Sequence, residues 1–433
     1  MSGTRPDGTD LRGFPMVKRF ALAASFVLAL AACQDESFDR SGRHLTPIPP
    51  ATLALMSHKG MSKNDPIVIR SYKKESEMEI WKRGSDGRYA LLKTYPICRW
   101  SGQLGPKVRE GDRQAPEGFY AVTPRQMNPN SSYFLSFDTG FPNAFDRAHG
   151  RTGAALMVHG SCSSRGCFAM TDEVIAEIYA LARESFAGGQ RTFQFQSYPF
   201  RMTAQNLARH RYDPNMPFWQ NLKEGSDHFE VLRQEPKVAV CGRRYVFGGA
   251  DVAQGNCSPS VDPAVAQKRA QDEQQVAELV GRGVQPVKLV YNDGGGHESF
   301  RQALAGAASA EDGSLVVDAR TRRLGAVSRP EAFAAGPQEI PLDPSGRPRD
   351  AYASASADQG LTSAQPVAQQ TVGSTSVGDS KPFYQRLFSG TSLLSGPATA
   401  AQAAPAASPR PASATKAQDR RAQAGTSASA AAN

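Results

Sequence analysis

The sequence predicts an α+β fold: a β-rich domain, built as a curved sheet or sandwich with one helix packed on it, followed by a largely disordered tail. Two observations predict this. Of the 21 Phe, 12 Tyr and three Trp, 25 residues lie between Ala51 and Cys257, and only seven fall in the 176 residues from Ser258 to Asn433. A segment with so little to bury stays unfolded. Within the aromatic-rich part, short apolar runs of strand length recur, and a single stretch carries a helical stripe. The domain so defined is about 200 residues long, enough to enclose a core.

The N-terminus reads as an address. From Met16 the chain runs MVKRFALAASFVLALAACQ, with Lys18 and Arg19 ahead of an apolar run, 20–30, too short to span a bilayer. The polar stretch before it places the translation start at Met16. Leu30-Ala31-Ala32-Cys33 resembles a bacterial lipobox, which implies cleavage before Cys33, acylation of Cys33 and a membrane anchor; Gln34 points to the outer membrane. An ordinary secretory signal is the alternative. Residues 1–33 are thus a signal region and 34–56 a linker. The balance of 50 Lys and Arg against 41 Asp and Glu, a net +9, permits attraction to anionic envelope polymers but is too weak to argue for nucleic acid. No run of about 20 apolar residues exists, which excludes a multi-span membrane protein.

The elements follow in order. Residues 51–62 read as a short linker or helix. Residues 66–72 and 78–81 read as strands, and Gly84-Ser85-Asp86-Gly87 is turn chemistry before a third run, 89–97. Residues 118–122, 133–137 and 154–158 are further strand-length apolar runs, and Phe193 and Phe195 alternate with polar residues in 191–200. The one plain helix starts at Thr171, an N-cap followed by Asp172 and Glu173, with Val174, Ile175, Ile178 and Leu181 on one face and Gly188-Gly189 as its stop. Residues 263–281 are helical in pattern but almost lack an apolar face, which reads as a solvated helix or linker. Residues 397–433 hold 16 Ala with scattered Pro and Ser and no aromatics. Deleting everything after Cys257 is therefore expected to leave thermal unfolding nearly unchanged.

The chemistry concentrates in residues 154–172. A strand ends at His159-Gly160, a loop of small residues follows, and Gly166-Cys167 leads into the helix capped at Thr171. A thiol attacks as thiolate, and its pKa falls beside a His or near a helix N-terminus. This spacing offers Cys167 both influences. His159 is placed to take the thiol proton and return it to a leaving group. Gly166 leaves an incoming carbonyl unobstructed, and the backbone N–H groups of Arg165, Gly166 and Cys167 form a candidate oxyanion hole. Beyond Cys33 the cysteines are Cys98, Cys162, Cys167, Cys241 and Cys257, so an oxidising compartment leaves one thiol unpaired. Cys162 lies where the loop leaves the strand and lacks that run of donors. It reads as a loop residue, able to pair with Cys98 if the two strands approach. A Cys162–Cys167 disulfide is an alternative. A zinc site on His159 with either thiol is another, although no second ligand pair at metal spacing exists.

His159-Gly160 followed by Ser164-Arg165-Gly166-Cys167 is similar to the HG…S-x-G-C signature of L,D-transpeptidases with a YkuD-type catalytic domain, and more closely to their short-loop YafK-type branch. Residues 97–107, 110–120, 141–147, 198–203 and 218–225 resemble that branch too, so the likeness runs from Ser57 to Phe247. It implies a YkuD-like catalytic domain over 57–203, a C-terminal extension of that domain over 204–257, and a tail, 258–433, outside it. It implies Cys167 as nucleophile, His159 as base, Gly160 as the residue whose carbonyl orients the imidazole, and Ser164, Arg165 and Gly166 as the loop framing the substrate and its oxyanion. No cofactor and no metal are implied. Residues 111–118 resemble the family's T-P-x-G element, or are a plain turn. The chain departs from the wider family in its short loop and in Ala169, where many members carry an Arg that helps hold the donor stem peptide; this leaves the preferred substrate open.

The resemblance implies attack of Cys167 on the carbonyl of the third stem residue of peptidoglycan, meso-diaminopimelate. D-Ala leaves, and the acyl group passes to an amine as a 3-3 cross-link or a lipoprotein attachment. Transfer to water makes the same site a hydrolase that detaches a murein-bound lipoprotein. A non-catalytic envelope tether is a third reading. The expected partners are peptidoglycan stem peptides, a murein-linked lipoprotein and a membrane reached through Cys33, with no nucleic acid, and the expected location is the periplasm.

Overall fold

The computed structural model describes residue 3 and residues 42–249, 257, 260–307, 327–328 and 330–349. Residues 4–41, with Cys33, and the last 84 residues of the chain lie outside these described residues. In chain order the structure begins with helix α1 (Pro50–His58) and strands β1 (Ile67–Tyr72), β2 (Glu77–Arg83), β3 (Tyr89–Pro96), β4 (Arg99–Trp100), β5 (Gly118–Val122), β6 (Met127–Asn128) and β7 (Ser136–Asp138). Helix α2 (Ala144–Ala148), strands β8 (Met157–His159) and β9 (Phe168–Ala169), helix α3 (Asp172–Ala187) and strand β10 (Phe193–Tyr198) follow. Next come α4 (Ala204–Arg209), α5 (Met216–Leu232), β11 (Val238–Cys241) and β12 (Arg244–Phe247). Beyond them lie α6 (Pro263–Gly281), β13 (Val287–Val290), α7 (Glu298–Ala307), α8 (Pro330–Ala335) and β14 (Gln338–Pro341).

The fold is α+β, with two five-stranded sheets. The first has the order β3-β2-β1-β10-β5, the second β4-β9-β8-β7-β6. Each is antiparallel except for one parallel pair, β1 with β10 in the first and β8 with β9 in the second. All six residues of β1 are buried, so both of its faces are covered. Ile67 and Ile69 share the main core with Ile175, Ile178 and Leu181 of α3. Val68, on the other face, packs with Phe229 of α5. The Arg70 guanidinium reaches Ser226 (2.8 Å) and Glu230 (3.3 Å) on the same helix. Helix α3 contacts β1 of one sheet and β7 and β8 of the other, so the helix capped at Thr171 joins both layers.

The structure differs from the expected single packed helix, because α5 covers the far side of the first sheet. Its apolar stripe is interrupted by Asn221, Lys223, Ser226, Asp227 and His228, all of them buried. Several of these find partners. Asn221 exchanges hydrogen bonds with the Tyr245 backbone at 3.0 and 2.8 Å, and Lys223 pairs with Asp227 at 2.7 Å. A helix that buries satisfied polar groups carries no clean periodicity. Two strands are also displaced. Tyr133 and Leu135 lie ahead of β7 and use their carbonyls on the Gly160 N–H (3.0 and 3.1 Å). Ala155 has φ +56°, which delays the start of β8.

The end of the folded unit is a correction. The tail was expected to begin at residue 258, yet α6 packs on α4 and α5, with Asp272 accepting from Lys223 (2.5 Å) and Lys268 (2.7 Å). Strands β13 and β14 pair with each other. Asp293 meets the fully buried Arg99 at 3.4 Å. These contacts combine polar pairs with a few apolar side chains, Val265, Leu289 and Tyr291 among them, and a low aromatic density does not register them. Ending the chain after Cys257 takes carboxylates away from Lys223 and from Arg99. Breaking a buried ion pair costs about 3–5 kcal/mol, so urea unfolding of the truncated chain is expected to show a loss of that order. Equal midpoints for the truncated and full chains would refute this packing.

Candidate active site

Strands β8 and β9 run parallel, with Val158 opposite Phe168 and His159 opposite Ala169. One step back, the Met157 N–H reaches Cys167 Sγ at 3.4 Å. Partners in register share a face of a sheet, and side chains two residues apart on one strand do too. His159 and Cys167 therefore stand on the same face of neighbouring strands. His159 Nδ1 lies 2.5 Å from the Gly160 carbonyl oxygen. With that nitrogen donating to the carbonyl, Nε2 is left to accept a proton. The Tyr133 ring tilts over the imidazole, 4.7 Å between centroids. Gly160 is confined: a Cβ there would lie 2.5 Å from Asp172 Oδ1 and 2.9 Å from Phe134 Cβ. Asp172, the first residue of α3, also accepts the Ser161 N–H at 2.9 Å. The helix start thus holds the turn that follows the imidazole.

Burial lowers the pKa of His159 below the ordinary 6.5 of an imidazole, partly offset by the hydrogen bond to Gly160. Burial also raises the pKa of the half-buried Cys167 above the ordinary 9.0, assisted by Asp138 and opposed by the Met157 N–H and by Lys107. Both shifts favour the neutral thiol and the neutral imidazole. This departs from the expectation of a thiol acidified by the helix. Strand β9 and Met170 separate Cys167 from α3, and the Thr171 hydroxyl takes the Val174 N–H in the first turn.

A second loop backs Cys167. Gly166 has φ +124°, and a Cβ on it would sit 3.6 Å from the Gln114 carbonyl oxygen and 3.7 Å from the Arg113 carbonyl carbon. The expected element 111–118 therefore does lie beside the site. Two buried lysines anchor it. Lys107 binds Asp112 at 2.5 Å. Lys73 binds Glu117 at 2.9 Å and donates to the carbonyls of Gly105 (2.9 Å) and Ala115 (3.1 Å).

No family model matches the chain. The curated protein “Putative L,D-transpeptidase YafK” of Escherichia coli (strain K12) is 44% identical over 189 residues, which is 44% of this chain and 76% of the relative. The chain belongs to the YafK family of L,D-transpeptidases. The protein of the same name from Escherichia coli O157:H7 matches to the same extent. Among solved structures, the helical cell shape determining protein Pgp2 of Campylobacter jejuni is 15% identical, with a TM-score of 0.26 over 55% of this chain and 80% of that one. Bd1075 of Bdellovibrio bacteriovorus is 16% identical, with a TM-score of 0.24 over 42% and 85%. Scores this low carry no weight here for fold or function.

In this YafK-family chain Cys98 is bonded to Cys162 and Cys241 to Cys257, and Cys167 is the free cysteine among the described residues. The Cys98–Cys162 bridge removes both the alternative Cys162–Cys167 disulfide and a zinc site using Cys162. Among the described residues no group of three His, Cys, Asp or Glu is arranged to hold a metal, and no helix is long and apolar enough to cross a membrane.

The expected oxyanion hole is also altered. The Gly166 and Cys167 N–H groups, two of its three donors, both point at Ser164 Oγ (3.3 and 3.1 Å). Ser164 is buried; its hydroxyl donates to the Cys167 carbonyl and accepts from Ser101 Oγ, both at 2.8 Å. The Ser164 side chain thus folds back onto its own loop and organises it. Arg165 is exposed. Sequence reasoning missed Tyr133, Ser101, Lys107 and Asp138, because no local pattern marks a residue that reaches a site across the fold.

Proposed function

We propose that this chain is a peptidoglycan L,D-transpeptidase in which Cys167 is the nucleophile and His159 the base. The observation that carries the proposal is the imidazole held through Nδ1 by Gly160, on the same face as the free thiol. The Cys167 Sγ–H proton passes to His159 Nε2 as sulfur bonds to the diaminopimelate carbonyl carbon. The C–N bond to D-Ala then breaks, and the leaving amine takes the proton from the imidazolium. An acceptor amine attacks the thioester, gives a proton to His159, and releases the thiol as a 3-3 cross-link or lipoprotein linkage forms. Water in place of the amine gives hydrolysis with the same residues. Muropeptide analysis of cells with and without this protein tests the proposal: unchanged 3-3 cross-links and unchanged lipoprotein-linked muropeptides would refute it.

The proposal places the enzyme in the periplasm, held to a membrane by lipid on Cys33. Two acyl chains anchor a protein stably, one only marginally. Cys33→Ala is therefore expected to move the protein from the membrane to the soluble fraction or to leave its precursor uncut. Mature wild-type protein that carries no acyl group and fractionates as soluble would disprove the anchor.

A further inference from the structure

We infer that Asp293 and Ser328, from the part of the chain beyond the expected domain end, are positioning residues for the nucleophile; this rests on the reading of Cys167 as nucleophile. Four contacts converge on the back of the catalytic loop. Gly295 and Trp100 exchange two backbone hydrogen bonds (2.8 and 3.1 Å), adding to β4, whose other edge pairs with β9, directly after Cys167. The Asp293 carboxylate takes Arg113 in a two-bond fork (3.1 and 2.7 Å) as well as Arg99. Arg113 belongs to the backbone stretch that packs on Gly166. Ser328 Oγ accepts the Ser164 N–H at 3.2 Å, and the Ser328 carbonyl accepts from Arg99 Nε at 3.3 Å. Phe300 and Val327 pack against the Cys98–Cys162 disulfide.

Ser164 is the relay. Its backbone is held by Ser328, and its hydroxyl accepts the N–H of Cys167 itself. Asp293 is 5% exposed and Arg99 fully buried, so this brace sits behind the loop and acts through Ser164 and Arg113. A thiol on a short loop is placed by what the loop leans on, and a displacement of about 1 Å can cost about 10²-fold in rate.

The test uses the mature full chain carrying Ser328→Ala or Asp293→Asn. Ser328→Thr keeps the hydroxyl. Glu339→Gln is the control, removing an exposed pair with Arg209 at the β14 end of the same region. Two measurements are made: amide hydrogen exchange at Gly166 and Cys167, and single-turnover acylation by a tetrapeptide muropeptide. Ser328→Ala and Asp293→Asn are expected to speed exchange at those two amides about tenfold, the worth of one lost hydrogen bond. Acylation at saturating substrate is expected to fall on the order of 10²-fold with half-saturation unchanged. Ser328→Thr restores both, and Glu339→Gln changes neither. Unchanged exchange at Gly166 and Cys167, or an equal rise across both sheets, overturns the inference. If Asp293→Asn fails to fold, Ser328→Ala decides alone. A wild type that never acylates while the exchange pattern holds refutes the transpeptidase reading and leaves the brace standing.

Discussion

Cys167→Ala is expected to abolish acyl-enzyme formation on tetrapeptide muropeptides, because without the thiol there is no covalent route. Cys162→Ser is expected to keep substantial activity, even though both sulfurs belong to one short loop. The structure supplies the reason for the contrast. Cys162 is buried in a bridge to Cys98, while Cys167 is free and takes the Met157 N–H on the face it shares with His159. Loss of the bridge costs stability, typically about 2–5 kcal/mol, so the Cys162→Ser enzyme is assayed well below its unfolding midpoint. Intact-mass spectrometry with substrate reads the result. An acyl adduct on Cys167→Ala that is missing from Cys162→Ser would reverse the assignment.

His159→Ala is expected to slow acylation on the order of 10²–10⁴-fold through loss of the proposed base, and to change the shape of the pH profile. The imidazole accepts a proton only when neutral. Its pKa lies below 6.5, so the wild-type rate climbs as pH rises through that pKa and has levelled off by neutral pH. The thiol titrates above 9.0, so across neutral pH it still carries the proton that His159 removes. The variant lacks the acid limb, and its residual rate rises with pH toward the thiol pKa because hydroxide must do the deprotonation. Stopped-flow acylation from pH 5 to 10 checks this. An acid limb that persists unchanged in His159→Ala would assign it to another group.

Local pattern carried a large part of the fold. Strands β1, β2, β3, β5 and β10 and helix α3 match the alternation, turn residues and N-cap visible between Pro66 and Phe200, since each is specified by neighbours within a few residues. Helix α5 was not legible, because Lys223, Asp227 and Asn221 interrupt its apolar stripe and are satisfied by residues distant in sequence, Asp272 and Tyr245 among them. The helical pattern of α6 over 263–281 was legible, but its packing was not, because its polar surface looks solvated until its Asp272 meets Lys223.

By itself the sequence determined the α+β class, the pairing of His159-Gly160 with Gly166-Cys167 as the candidate chemistry, and the resemblance that leads to the YafK family. These depend on residue types at short spacing, and short spacing is visible in one dimension. Only the tertiary structure decided which thiol is free and that the Ser164 hydroxyl turns inward. It likewise decided that burial pushes the Cys167 thiol pKa up, and that Asp293 and Ser328 lean on the loop from beyond the expected end of the domain. Each of these depends on burial or on contacts between residues separated by tens to more than a hundred positions, such as Cys98 with Cys162 and Ser164 with Ser328. Which distant groups meet is set by how the two sheets and their helices pack, and no local pattern encodes that.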